Sequence, residues 1–356
     1  MKNITLLFAI CLFAFTQSIA QNVDLPQASK PAMVSEDIGL STVKISYHRP
    51  GVRGREGKIW GTPIVPYGEV WRAGANENTV IYFENDVTIE GKPLAAGKYG
   101  FHLIPTESQW TLIFSKNSAS WGSYFYKPEE DALRVTVKPE ACAYQEFLKY
   151  EFTNQTDNAA RVELSWEKVK GGFTVAVDLN KTVVASLRDQ LRGTDGFTWE
   201  AHNQAARYCA DNNTNLEEAL QWIDLAISES PYFAQKSFTT LQTKSMILDK
   251  MGKADVAKQM MDEAVAMSTM QELHFYARNL SEQGKAEEGM KMFEMNRKRN
   301  PTDNFTTLVG LARGNMGMKN YKEAAKYFRM AAPNAPKGQQ EVYEKLAKDM
   351  DTKVKS

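Results

Sequence analysis

The stretch RVELSWEKVKGGFTVAVDL, residues 161–179, decides the fold of the first half of the chain. Val162, Leu164 and Trp166 alternate with Arg161, Glu163, Ser165 and Glu167. Beyond Gly171-Gly172, Phe173, Val175, Val177 and Leu179 alternate with Thr174, Ala176 and Asp178. Successive side chains of a strand point to opposite faces, so each run has one apolar face, and the pair reads as a β-hairpin. The same period extends toward the N-terminus. Val43, Ile45 and Tyr47 alternate with Lys44, Ser46 and His48, and further short strands fall at Thr79–Phe83, Asp86–Glu90, Trp110–Phe114, Leu133–Val137 and Phe147–Phe152. Gly91-Lys92-Pro93 and Gly97-Lys98-Tyr99 read as turns between them. About eight strands with no interleaved helix predict an all-β antiparallel sandwich or jelly-roll-like domain.

From Phe197 onward the apolar spacing becomes helical. Four segments align on the small residues Ala219, Ala257, Gly289 and Ala324. Four residues later stand Ile223, Met261, Phe293 and Phe328; seven later, Ala226, Ala264, Asn296 and Ala331; twelve later, Pro231, Thr269, Pro301 and Pro336. Twelve before the last three anchors stand Ser245, Ala277 and Ala312. Two antiparallel helices stacked on the next pair need small side chains where backbones approach, and a stop where the second helix ends. This grid, over about Phe197 to Pro336, resembles the tetratricopeptide repeat, with Gly338 to Lys355 as a capping helix. Asn296 and Thr269 are its clearest departures. The fold class expected is therefore two-domain: a β domain over 21–185, a linker over 186–196 carrying Gly193-Thr194-Asp195-Gly196, and an all-α helical repeat array over 197–356.

The densest run of unusual residues lies between the first strand and Thr79. It reads Tyr47-His48-Arg49-Pro50-Gly51-Val52-Arg53-Gly54-Arg55, then Ile59-Trp60-Gly61, then Val65-Pro66-Tyr67-Gly68-Glu69-Val70-Trp71-Arg72-Ala73-Gly74-Ala75-Asn76. With Ala96-Gly97-Lys98-Tyr99, Trp110-Thr111-Leu112-Ile113-Phe114 and Trp121-Gly122, these elements resemble the bacterial envelope proteins known as domain of unknown function 2911, over about Val34 to Lys181. That resemblance implies no activity. Two readings of the loop stay open. Guanidinium forks and close-approaching glycines suit an anionic or sugar ligand, held by Arg49, Arg53, Arg55, Trp60, Tyr67, Trp71, Arg72 and Asn76. Alternatively the arginines pair with Glu56, Glu69 and Glu77, stack on the aromatics and lock the loop onto the sandwich.

Constellations for catalysis are thin. None of His48, His102, His202 and His274 stands in metal-ligand spacing with another histidine or a cysteine, and no Gly-x-Ser-x-Gly elbow, phosphate loop or Cys-x-x-Cys occurs. No catalytic residue, metal or cofactor is assigned. His48 with Glu69 or Glu77 would be the acid-base set, and His102 reads as a histidine at the edge of the core. Hydrophobic residues make up 43% and charged residues 24%, as in an ordinary globular chain, and Lys+Arg 43 balances Asp+Glu 43, which gives no long-range attraction to nucleic acid. The repeats therefore carry the functional expectation, a protein or peptide partner in a groove lined by Asn203, Arg207, Lys244, Tyr276 and Arg313.

At the start, Lys2, the apolar run Ile4 to Phe15 and the small-x-small exit Ser18-Ile19-Ala20 read as a secretory signal over 1–20, with no membrane span left after its removal. Cys11 leaves with it, and Cys142 and Cys209 fall in different domains, so no disulfide scaffold is expected. The expected location is the periplasm or envelope. N-terminal sequencing of the envelope fraction is expected to read from Gln21; a cytosolic chain that keeps Met1 would overturn the export reading.

Overall fold

A computed structural model describes residues 26–230 and 233–355. The chain divides into two compact units, Met1–Thr182 and Val183–Ser356. The expected signal over 1–20 and Pro231 of the first repeat lie outside the described residues.

Two antiparallel sheets build the first unit. One has the order β1 (Lys30–Ile38), β2 (Ser41–Arg49), β3 (Thr79–Phe83), β6 (Gly97–Pro105), β7 (Trp110–Ser115), β8 (Asp131–Val137). The other runs β5 (Lys92–Leu94), β4 (Val87–Ile89), β10 (Ala159–Val177), β9 (Glu140–Thr153). Their inner faces meet in one core that includes Ile45, Ile81, Phe101, Phe114, Leu164 and Phe173.

β10 folds back on itself. Val177 N–H donates to the Asn158 carbonyl at 2.9 Å, and Lys170 Nζ meets Glu163 at 3.1 Å, approaches that a straight strand cannot make. The hairpin expected from residues 161–179 is thus present, but it reverses at Glu167, whose φ is +56°, rather than at Gly171-Gly172. Those glycines lie in the returning arm for a different reason. A Cβ on Gly171 would stand 2.4 Å from the Trp110 ring, and one on Gly172 would stand 2.2 Å from the Val162 carbonyl oxygen. β9 wraps the tip, pairing Thr153 with Arg161, Gln145 with Glu167 and Glu140 with Lys170 through two register shifts.

Three strands escape the period-two reading. β1 is an edge strand exposed over most of its length, with Pro31 in it, so alternation is blurred by charge. β5 occupies Lys92–Leu94, read as turn, and Gly97-Lys98-Tyr99 opens β6 instead of a turn. β6 is buried on both faces from Tyr99 to Leu103, which removes the polar half of the alternation. Leu179, expected at the end of a strand, opens helix α1 (Leu179–Gln190).

Ten α-helices follow among the described residues: α1, α2 (Trp199–Asp211), α3 (Leu216–Asp224), α4 (Phe238–Lys250), α5 (Ala254–Met267), α6 (Met270–Glu282), α7 (Ala286–Arg299), α8 (Thr306–Gly317), α9 (Tyr321–Ala331) and α10 (Gln340–Lys355). Residues 186–196 hold the last turn of α1 and most of a 3-10 turn, Thr194–Phe197, and Arg188 pairs with Glu218 at 2.7 Å. Helices α4 and α5, α6 and α7, and α8 and α9 pack as pairs joined by short turns, giving a tetratricopeptide-like array.

The grid residues are the contacts. Ala219, Ala226, Ala264, Ala277, Ala312, Ala324 and Ala331 are fully buried. Ser245 Oγ donates to the Ala257 carbonyl at 2.7 Å, and a Cβ on Gly289 would stand 2.7 Å from the Ala277 carbonyl oxygen, so second helices meet first helices at backbone distance. Both departures have structural reasons. Asn296 is fully buried and its Nδ2 donates to the Met270 carbonyl at the start of α6, while its Oδ1 accepts from Asn300. Thr269 caps α6 in a capping box with Glu272. At the C-terminal end, Ala347 and Met350 of α10 pack on Phe328.

Replacing Ala324 by leucine is expected to cost about 1–3 kcal/mol by overpacking, against within about 0.5 kcal/mol for exposed Lys322→Leu. Chemical denaturation of both variants checks this; equal effects would refute the anchor role.

Candidate functional site

The loop between β2 and β3 is pinned by tryptophans. Trp60 stacks on Trp110 with centroids 5.0 Å apart, Trp71 stacks on Trp166 at 6.1 Å, and Trp60 meets Trp71 and Trp166 edge-on. Trp71, Trp110 and Trp166 are buried, so Trp60 and Trp71 serve the core. Tyr67 is partly exposed, with its ring on Gly61, where a Cβ would stand 2.7 Å from the ring.

The arginines do not pair with Glu56, Glu69 or Glu77, although Arg49 lies over the Phe147 ring at 5.9 Å. Among the described residues Arg49, Arg53, Arg55 and Arg72 form no ion pair; Glu56 pairs with Lys168 and Glu77 with His48. Each guanidinium donates to backbone carbonyls: Arg49 to Leu148, Arg53 to Ala28, Arg55 to Gly51 and Val52, Arg72 to Asn76. Carbonyls of an irregular loop have no ladder partners, and multi-donor guanidinium groups satisfy them. Asn76 and Arg53 together hold the chain ahead of β1, since Asn76 Nδ2 donates to Gln27 Oε1 and the Ser29 carbonyl.

Arg72 differs from the other three. Ala73 after it has a left-handed φ of +51°, held because its carbonyl accepts from Thr79 Oγ1 and the Tyr150 hydroxyl. Trp71 pairs with Leu103 and turns inward; Arg72 turns to the outer face of the six-stranded sheet. There it lies on Gly122, where a Cβ would stand 2.8 Å from the guanidinium carbon, and under the Tyr124 ring at 5.6 Å.

The loop over residues 116–127 covers β6 at this point. Its base is closed by Lys116 N–H to the Glu130 carbonyl, and its Asn117 carbonyl rests on Gly100. Beneath it, His102 is buried, its Nδ1 lies 2.9 Å from Ser123 Oγ, and its ring packs against Tyr126. Tyr126 donates to Asp131, which also binds Arg134. Burial pushes His102 down to about 4, Asp131 opposing and Arg72 assisting. In sequence His102 reads as a core-edge histidine and Ser123 carries no signal, because nothing in a strand residue and a loop residue twenty-one positions apart announces contact.

Beside this loop the outer face is hollow. A trough of about 710 Å³ lies over Lys44, Ser46, Val80, Tyr82 and Lys98. A cleft of about 500 Å³, sharing Met33 and Ser46 with it, is lined by His48, Glu77 and Asn78. His48 Nε2 stands 3.2 Å from Glu77.

In the helical unit the five expected groove residues stand on four first helices, Asn203 and Arg207 on α2, Lys244 on α4, Tyr276 on α6 and Arg313 on α8. Arg207 pairs with Asp211, Lys244 with Asp224, and Asn203 and Arg313 are half-buried. Tyr276 packs on Phe238 and opens onto a cleft of about 460 Å³ with Met261, Leu280, Met292 and Met295. Among the described residues no group of three or more His, Cys, Asp or Glu gathers as a cation site, and Cys142 and Cys209 are free thiols.

The glycines under Arg72 and Asn117, the tryptophan box and the Trp71-Arg72-Ala73 turn together define the β unit. Residues 29–175 match the family described as Protein of unknown function (DUF2911). The matched segment begins just before β1 and ends near the end of the returning arm of β10, so the DUF2911 segment and the β unit nearly coincide. No curated protein matches the chain. A solved structure of a MamA mutant is similar at 11% identity and a TM-score of 0.28, covering 44% of this chain and 85% of that one.

The lowered pKa of buried His102 predicts that the β unit loses stability in acid. Its folded pKa lies below the ordinary value of 6.5, so the unfolded chain takes up the proton first; the stabilisation is complete above about pH 6.5 and is lost as pH falls toward 4. Between pH 7 and 4.5 the wild type is expected to lose about 2–3 kcal/mol more than His102→Gln in urea melts. Parallel losses would show that His102 does not carry this sensitivity.

Proposed function

We propose that the protein is exported and binds a peptide segment of a protein partner through its helical unit. The observation that carries this reading is the cleft between α5, α6 and α7, where Met261, Met292 and Met295 surround Tyr276 and Leu280. Unbranched, polarisable methionine side chains adapt to varied apolar surfaces, and repeat arrays commonly use exposed clefts to take peptides. Lys258, Lys291 and Arg299 stand at the rim with Asp262 and Glu288. Lys258 is paired with Asp262, and Arg299 donates to the Val265 carbonyl. An apolar anchor flanked by an acid fits this arrangement. Among the described residues no helix is long and apolar enough to cross a membrane.

A second reading rests on the β unit. Lys44, Tyr82 and Lys98 stand in register across β2, β3 and β6 on the floor of the trough, the outer two strands about 10 Å apart. Neither lysine has an acidic partner among the described residues, which suits an anionic or sugar ligand.

Selection of the full chain against a displayed library of short random peptides is expected to enrich apolar residues beside acids, with binding lost in Met292→Asp. No enrichment, or unchanged binding by that variant, would overturn the peptide reading. Weakened retention of the Lys44→Glu, Lys98→Glu double variant on a sulfated polysaccharide column would support the second reading, and unchanged retention would reject it.

A further inference from the structure

We propose that Ser123 and His102 form a nucleophile–base pair for hydrolysis of a carboxylic ester, with Arg72 facing the oxygen that becomes negative. Ser123 Oγ lies 2.9 Å from His102 Nδ1, within the reach required of a base that takes a hydroxyl proton. The two residues have opposite exposures, which suits their roles. Ser123 sits on the surface loop and is partly open to solvent, whereas His102 is buried beneath it and held against Tyr126. Burial keeps the imidazole neutral, and in the tautomer protonated at Nε2, which the proposal requires, Nδ1 accepts the serine proton and the oxygen lone pairs stay free. Asp131 lies close enough to favour the imidazolium as it forms.

Arg72 supplies the third element. Its guanidinium rests against Gly122, next to Ser123, and has no carboxylate partner among the described residues; a half-buried charge without a counter-ion is matched by negative charge that develops in the reaction. Any side chain at position 122 would push it away.

The chemistry balances without a cofactor. As the Ser123 Oγ–carbon bond forms, the hydroxyl proton moves to His102 Nδ1 and the carbonyl electron pair moves to the oxygen facing Arg72. Collapse breaks the carbon–oxygen bond to the leaving alcohol, which takes the proton from Nδ1. Water then repeats the sequence on the acyl-serine, releasing the acid and restoring Ser123. Trp121, Tyr124 and Phe125 are exposed around the serine and offer ring surface to an apolar part of the ester.

The test uses the full chain, a fluorophosphonate reagent and p-nitrophenyl acetate. The reagent is expected to label Ser123 alone. Ester hydrolysis is expected to fall at least about a hundredfold in Ser123→Ala and in Arg72→Met, with melting temperatures near wild type for Ser123→Ala. Groups facing the imidazole are Tyr126, Asp131 and Arg72, with Arg134 behind Tyr126. With these the rate should stay level down to about pH 5 and fall as His102 takes a proton near 4. Labelling no faster than in the urea-unfolded chain, wild-type hydrolysis by Ser123→Ala, or a rate that falls near pH 7 would each overturn the proposal.

Discussion

The β unit depends on the burial of Trp60 and Trp71 against Trp110 and Trp166. A long irregular loop ordinarily lies on the surface, because its backbone polar groups lack regular partners. Here two of its indoles enter the sandwich, and large aromatic surfaces removed from water supply the free energy that holds it there. The cost appears as geometry. Gly171 has no side chain because Trp110 fills the space, and the Trp60 and Trp166 ring N–H groups are buried without acceptors among the described residues. Once Trp71 is fixed inward, the left-handed turn at Ala73 determines that Arg72 faces outward.

The arginines then divide by what the loop leaves them. Arg49, Arg53 and Arg55 bind carbonyls of a chain path that has no ladder to satisfy it, and in this they behave as multi-donor structural linkers. Arg72 binds one carbonyl, rests on a glycine and lies under one aromatic ring. Composition alone makes the four look equivalent. Their surroundings separate three that tie the loop path together from one that lies between Gly122 and the Tyr124 ring of the 116–127 loop.

Sequence patterns revealed most where a single physical requirement governs a position. Helix pairs need small residues at contact points, and Ala219, Gly289 and Ala324 are buried as that requirement predicts. Half-buried strands need alternation, and β2 and β3 show it. Legibility failed where two requirements overlap. In β6 the outer face is covered by a loop, so the strand has no polar side to display. At Asn296 a backbone carbonyl from another helix asks for a donor at a place where packing alone would choose alanine. The pairing of His102 with Ser123 depends on where the 116–127 loop settles, and local pattern carries no information about that. Trp60 and Trp71 look like ligand platforms in sequence because aromatic residues among glycines and arginines have the same signature whether they face solvent or core.

The seat of that loop has an evolutionary consequence. Its position comes from a backbone carbonyl resting on Gly100 and from the main-chain closure at Lys116 and Glu130, contacts that do not depend on the side chains at its tip. Trp121 and Phe125, both exposed, can therefore change while the loop keeps its place over the sheet. A scaffold of this kind separates the part that fixes position from the part that meets the outside, so the exposed tip can drift among descendants with little pressure from the core.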